Sequence, residues 1–171
     1  GVVSAGNDLY GIHFMDTENG ISVGESNTLL RTSDGGTTWT DIDGPAAETG
    51  NNVITCWQVD ENIAFIGYAS GTIYRTGNLQ DAAPDWEQKA LPATVTAVND
   101  VAFDSPNVGY ACGTGAGPAG HLFRTWDGGH TWEEITATTS AGLNALHVCA
   151  TNSAFVAGDI TDSTGYIAKV S

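Results

Sequence analysis

The sequence LLRTSDGGTTW at residues 29–39 returns in a close variant, LFRTWDGGHTW, at residues 122–132. In each stretch an apolar pair and an arginine precede a turn of the pattern S/T-x-D-x-G-x-T-W. An aspartate in a tight turn accepts hydrogen bonds from backbone amides that a strand ladder cannot reach, and glycines permit the positive φ of a hairpin reversal. The tryptophan adds a large apolar surface for a core. Both stretches therefore predict a hairpin turn between two β-strands.

The chain contains four segments that share one order of apolar and turn residues: 9–42, 54–91, 98–135 and 143–171. One position of this repeat is basic in every segment, namely in Arg31, Arg75, Arg124 and Lys169. No segment shows a sustained 3.6-residue period, and short apolar runs predict strands in the first repeat over residues 10–15, 21–24, 28–32 and 38–42. Four short strands in a repeat of about 40–50 residues are typical of a β-propeller blade.

The sequence therefore predicts an all-β propeller of four short four-stranded blades with almost no helix, formed as one domain over residues 1–171. The fourth repeat holds only three predicted strands. Residues 1–5 have the spacing of a displaced fourth strand, because Val2 lies ten residues before the first-strand residue Ile12. We expect this segment to pair with blade four and close the ring, which hides two sheet edges. A slice of a longer propeller and half of a ring completed by a second copy also fit.

The two turns resemble the Asp-box of the BNR-repeat β-propeller families, and the residues around them are most similar to the Ycf48-like photosystem II assembly factors and related bacterial Asp-box proteins. The resemblance implies a structural role for the motif residues Thr32, Asp34, Gly36, Trp39, Thr125, Asp127, Gly129 and Trp132. In the second repeat a longer turn, residues 76–86, keeps only the threonine and the tryptophan. The motif is specific for the fold and nearly silent on function, since hydrolases, receptors and assembly factors share it.

Charge and composition exclude several classes of partner. Five Lys and Arg residues stand against 20 Asp and Glu residues, for a formal net charge of −15. Such a chain lacks the cations that displace counterions from nucleic acid, and it is repelled by anionic membrane surfaces. Its apolar runs are too short to insert into a membrane. The three cysteines are expected to be buried free thiols, because their number is odd and their neighbours are apolar. One disulfide plus one free thiol also fits.

No catalytic, cofactor-binding or metal-binding residue is predicted. Sialidase chemistry needs clustered arginines, whereas the arginines of this chain occupy equivalent positions in different blades and cannot converge. Glycosidases need a facing pair of carboxylates, but the 20 acidic residues give no specific pair. His13 and His147 share the first-strand position of repeats one and four, yet no further metal ligand accompanies them. Histidines packed between blades explain this pattern.

Two features are candidate contact sites. Trp126 lies off the repeat register at a variable position of the second turn, and His130 follows on the same turn. An exposed aromatic residue on a hairpin tip suits contact with a protein or a glycan. Packing of Trp126 against a neighbouring blade fits the sequence equally well. The glycine-rich residues 113–120, which include Gly115 and Pro118, are predicted to form a surface contact loop.

These observations favour a non-enzymatic binding or assembly module that acts through its surface loops. A protein partner or self-assembly is expected, with glycans as a further ligand class. Two alternatives stay open: a structural component of an extracellular particle, such as a virion decoration or fibre protein, and part of a larger carbohydrate-hydrolysing propeller. The expected location is extracellular, periplasmic or on a virion surface, with no membrane insertion.

Overall fold

The computed structural model describes residues 6–116, 119–139, 142–150, 153–161 and 164–170. Blade one contains β1 (Leu9–Phe14), β2 (Gly20–Gly24), β3 (Leu29–Thr32) and β4 (Thr40–Asp41). Blade two contains β5 (Val53–Gln58), β6 (Ala64–Tyr68), β7 (Ile73–Thr76) and β8 (Trp86–Lys89). Blade three contains β9 (Val95–Phe103), β10 (Gly109–Gly115), β11 (Gly120–Thr125) and β12 (Glu133–Thr139). Blade four contains β13 (Leu143–Ala150), β14 (Ser153–Thr161) and β15 (Thr164–Val170).

Each blade is an antiparallel sheet whose strands follow one another in chain order. The prediction of an all-β propeller is confirmed, and within the described residues helical structure is limited to the 3₁₀ turns Glu25–Asn27 and Ala46–Glu48. The described part of blade four has three strands. The expectation that residues 1–5 add a fourth strand and close the ring lies outside the described residues.

The core lies between the blades rather than within any one of them. Because successive strand residues point to opposite faces, each sheet has two faces to bury. Phe65 and Ile73 of blade two pack against Phe103 and Trp132 of blade three. Apolar clusters of the same kind join blade one to blade two and blade three to blade four. The central strand β6 is buried along its whole length, since both of its faces are covered.

An aromatic side chain of blade two inserts closely between residues of blade three. The Phe65 ring stacks on Phe103 with centroids 4.5 Å apart and meets Trp132 edge-on at 6.3 Å. Gly129 forms the floor of the slot, because a Cβ atom at this position would collide with the Phe65 ring. Gly129 also has a φ of 76°, a region that favours glycine.

We predict that Gly129→Ala destabilises the protein more than Gly50→Ala. Both glycines have positive φ, but a Cβ atom at Gly50 would have no neighbour within 4 Å. The substitution at Gly50 should cost roughly 1 kcal/mol of strain, and the one at Gly129 an additional 1–3 kcal/mol or so from overpacking. Thermal unfolding of the two variants measures the difference. Equal losses of stability would contradict the close fit around Phe65.

Candidate functional site

The turn that joins β11 to β12 is organised around Asp127. Its Oδ1 atom accepts hydrogen bonds from the Thr125 hydroxyl and from the backbone amide of Thr131, both at 2.9 Å. Its Oδ2 atom accepts one from the Thr131 hydroxyl at 2.6 Å. The Thr125 oxygen in turn accepts from the amide of Gly129 at 2.9 Å. The aspartate thus satisfies turn groups that the sheet cannot reach.

The turn that joins β3 to β4 has the same construction. Asp34 accepts from the Thr32 hydroxyl at 2.9 Å, from the Thr38 amide at 2.8 Å and from the Thr38 hydroxyl at 2.6 Å. We call these two turns, residues 32–39 and 125–132, the aspartate turns. The bonds to Thr38 and to Thr131 lower the pKa of Asp34 and of Asp127, respectively, to about 2. Both carboxylates are therefore ionised acceptors with a structural role in the turn.

Blade two contains a third turn of this kind, which the sequence pattern did not identify. The side-chain oxygen of Asn78 accepts from the Thr76 hydroxyl and from the amide of Asp85, each at 2.8 Å. Asn78 thus takes the position of the aspartate, while its amide group donates to Asp81 at 2.8 Å. The signal was present as threonine and asparagine two residues apart, but the longer turn that follows hid the equivalence.

We predict that Asp127→Ala lowers the free energy of unfolding by ~1–2 kcal/mol at neutral pH, because three turn donors lose their acceptor. Since the pKa of Asp127 in the folded protein lies below the ordinary aspartate value of 3.8, its contribution to stability is complete above that pH. It is lost as the pH falls through about 2. Denaturant unfolding of wild type and variant between neutral pH and pH ~2 checks both parts.

Asp41→Ala is the matched control, because Asp41 is an exposed strand aspartate and its loss changes the net charge equally. Its effect should stay within about 0.5 kcal/mol. A loss of stability for Asp127→Ala that is the same at neutral and acid pH would contradict the role of its ionised carboxylate.

The repeated basic position bridges neighbouring blades in two of its four occurrences. Arg31 donates to the carbonyl of Leu79 in blade two, and the Nε atom of Arg75 donates to the carbonyl of Gly128 in blade three at 3.1 Å. Both bonds satisfy a turn carbonyl of the following blade. Arg31 and Arg75 thus lie at successive interfaces and do not converge, as the repeat spacing indicated.

Arg124 departs from this pattern and holds Trp126 instead. Its guanidinium carbon lies 4.3 Å above the centre of the Trp126 ring. Both Arg124 and the Trp126 indole nitrogen donate to one oxygen of Glu133, at 2.7–2.9 Å. These bonds lower the pKa of Glu133, with the bond from Arg124 making the largest contribution. We call Arg124, Trp126 and Glu133 the Trp126 platform.

The platform is exposed and fixed at the same time. Trp126 remains 46% exposed although its ring is held from one side by a cation and at its edge by a carboxylate. The equivalent positions of the other two turns hold Ser33 and Gly77, so this aromatic group occurs in one blade. Side chains fixed before binding lose little entropy when a partner arrives, which suits a contact site.

The other predicted contact residues have different surroundings. His130 is exposed on the same turn as Trp126. Gly115 is buried, because it is the last residue of β10 and packs against His121. Pro118 lies outside the described residues. Of the segment predicted as a contact loop, residues 113–115 thus lie in β10, and Gly120 begins β11.

A cavity of about 430 Å³ is lined by the first strand of every blade, and it therefore lies around the central axis of the propeller. Asp100 is the one carboxylate among its lining residues. It accepts from the Thr55 hydroxyl at 3.1 Å and from the Leu146 amide at 2.8 Å, so it joins the inner strands of blades two, three and four. Burial raises the pKa of Asp100 and its hydrogen bonds oppose this rise. Among the described residues, the cavity lining therefore contains no pair of carboxylates for acid–base chemistry.

The two histidines at the repeated first-strand position do not form a site together. His13 stacks on Trp57 with ring centroids 3.9 Å apart and accepts a hydrogen bond from the Gln58 amide at 3.1 Å. Burial lowers its pKa to about 4, so it is neutral at physiological pH. His147 is exposed on β13. The described residues contain no group of three or more His, Cys, Asp or Glu residues placed to hold a metal ion.

The cysteine prediction is confirmed for Cys56 and Cys112, which are buried free thiols, whereas the free thiol of Cys149 is exposed. Burial raises the pKa of Cys56 and of Cys112. Among the described residues, no helix has the length and apolarity that crossing a bilayer requires.

The fold is shared with known propellers. YCF48 from Cyanidioschyzon merolae superposes with a TM-score of 0.72 at 18% identity, over 95% of this chain and 50% of that chain. YCF48 bound to a D1 peptide superposes with a TM-score of 0.69 at 18% identity, over 94% of this chain and 55% of that chain. An ancestral GH74 enzyme superposes with a TM-score of 0.64 at 14% identity, over 94% of this chain and 26% of that chain. At such identities the likeness shows the propeller fold alone.

No family model and no curated protein matches the sequence. The chain spans about half the length of the YCF48 chains with which it superposes. The structural neighbours therefore include both a peptide-bound protein and an enzyme on one architecture.

Proposed function

We propose that the chain is a non-enzymatic Asp-box propeller that binds a polypeptide partner, with the Trp126 platform at the centre of the contact surface. The observation that carries this proposal is the exposed Trp126 ring held by Arg124 and Glu133. Tryptophan and arginine are the residue types most enriched among those that dominate binding energy at protein interfaces. The YCF48 structure with its bound D1 peptide supports the class of partner, since it shows a propeller of this shape with a polypeptide ligand.

The charge of the chain indicates the chemistry of the partner. With a formal net charge of −15, the protein attracts basic surfaces and repels acidic ones. On the platform itself, the Glu133 carboxylate lies beside the aromatic ring and already accepts from Arg124 and Trp126. A peptide with an apolar or aromatic residue for the ring and lysines or arginines around it matches this surface.

Catalysis has less support. In the described residues the aspartates of both aspartate turns accept their full set of turn hydrogen bonds, and the axial cavity is lined by a single carboxylate. A glycosidase requires two carboxyl groups across the scissile bond, roughly 5–10 Å apart. The likeness to a GH74 enzyme concerns the fold that many functions share.

We predict that a library of random linear peptides selected against the protein enriches basic sequences with an aromatic or large apolar residue. Trp126→Ala should weaken the selected peptides at least tenfold, which corresponds to about 1.4 kcal/mol. Trp126→Phe should retain part of the affinity, because it keeps a ring for stacking but loses the bond to Glu133. Titration calorimetry with one selected peptide measures all three affinities.

Two results would contradict the proposal. Selected peptides that bind Trp126→Ala as tightly as the wild type would remove the platform from the contact surface. Release of sugars from xyloglucan by the purified wild-type chain would show that the protein is an enzyme.

A further inference from the structure

The two end blades each present apolar side chains on a face that no other described blade covers. On blade one, Ile12 and Phe14 point away from blade two and are 64% and 37% exposed. On blade four, Phe155 and Ile167 point away from blade three and are 40% and 78% exposed. We call these the leading face, of blade one, and the trailing face, of blade four. Within the described residues, each apolar cluster between blades joins consecutive ones, and none joins blade four to blade one.

The trailing face repeats the face of blade two that packs on blade three. Phe155 pairs with Lys169 across the sheet just as Phe65 pairs with Arg75. Ile167 belongs to the next residue pair on the same face, Ala157 with Ile167, and takes the position that Ile73 takes in blade two. Phe65 and Ile73 are completely buried by blade three, whereas Phe155 and Ile167 are exposed. Blade four thus carries the inserting residues of an interface whose other side is not supplied by any described residue.

The leading face repeats the slot that receives Phe65. In blade three this slot consists of Phe103, Trp132 and Gly129, with the two rings edge-to-face at 6.1 Å and 79°. In blade one the equivalent rings, Phe14 and Trp39, stand at 5.9 Å and 89°.

The floor of the leading slot is open. The Phe65 ring lies against Gly129, whereas the nearest atoms to a Cβ at Gly36 belong to the slot's own rings, at 3.6–3.7 Å. In the part of the chain that the structure describes, the slot of blade one therefore holds no inserted side chain.

We propose that the trailing face of one copy docks on the leading face of a second copy, with Phe155 inserted between Phe14 and Trp39. The same contact formed in the other direction closes two copies into a ring of eight blades with twofold symmetry. Lys169 then takes the place of Arg75, which donates to the carbonyl of Gly128 in the next blade. The equivalent acceptor for Lys169 is the carbonyl of Gly35 in the second copy.

A second copy suits these faces because each copy carries both halves of one interface. The two slot aromatics, the slot glycine and the basic residue beside the inserted ring recur on the end faces. They have the same arrangement as at the interface between blades two and three. Two copies also supply the length of the YCF48 chains, of which one copy spans about half. The contact is separate from the Trp126 platform, because blade three has neighbours on both sides.

The native mass in solution tests this proposal. The wild type should have twice the 17.7 kDa mass of one chain. Association should strengthen from low salt to about 0.5 M NaCl, because salt screens the repulsion between two acidic copies. Ile12→Asp on the leading face and Ile167→Asp on the trailing face should each give a single-chain mass, since each buries a charge in both contacts of the ring. Ala90→Asp adds the same charge at an exposed position of blade two and should leave the doubled mass unchanged.

Mixing the two variants separates a lost contact from a misfolded chain. Ile12→Asp keeps an intact trailing face and Ile167→Asp keeps an intact leading face, so an equimolar mixture should recover the doubled mass through one native contact. A wild type that has a single-chain mass at all concentrations and salts would overturn the proposal. So would a doubled mass that survives both substitutions, or a single chain whose Ile167 is protected from hydroxyl-radical labelling, which would indicate cover by another occupant.

Discussion

The face-to-face packing of neighbouring blades is the constraint on which the whole structure depends. A sheet of short strands has two apolar faces and cannot bury either by itself, so each blade is stable only beside others. Phe65 shows the energetic content of this packing, since its ring is enclosed by Phe103, Trp132 and Gly129 of the next blade. Removing such a ring from a core typically costs about 3–5 kcal/mol. The fold is therefore a chain of interfaces, and its end blades carry the same chemistry as its interior.

The hydrogen bonds of the turns support this packing. In each aspartate turn an ionised carboxylate accepts hydrogen bonds from the hydroxyl groups of two threonines and from the amide of the second, which directly precedes the tryptophan. Asn78 accepts the equivalent hydroxyl bond and a turn amide bond in blade two with a neutral oxygen, so an uncharged acceptor also occurs at this position. Arg124 is the exception among the arginines, because it contacts the exposed Trp126 ring and Glu133 of its own blade instead of a neighbouring blade. The surface function we propose is thus built from a position that elsewhere joins blades.

The periodicity of apolar residues and the turn residues were enough to predict the blades. Strands in which apolar and polar residues alternate, and the glycines of the turns between them, recur at one spacing along the chain. The sequence could not show that Asn78 replaces an aspartate, since the turn beyond it is longer than in the other repeats. It also could not separate Gly115, buried at the end of β10, from a contact loop, because a glycine-rich run is typical of loops and of close backbone contacts alike. Trp126 was predicted to be a contact residue because it lies off the repeat register. Its contacts with Arg124 and Glu133 could not be predicted, because the folded hairpin brings these residues together.

The central claim is that the end faces are two halves of one interface, and the thermal midpoint as a function of protein concentration tests it most directly. If folding and association are coupled, the wild-type midpoint rises with concentration by mass action, and this dependence disappears in Phe155→Ala. The matched Phe65→Ala should lower the midpoint at every concentration, because its ring is buried within a single chain. A wild-type midpoint that is independent of concentration over a hundredfold range or so would contradict the claim.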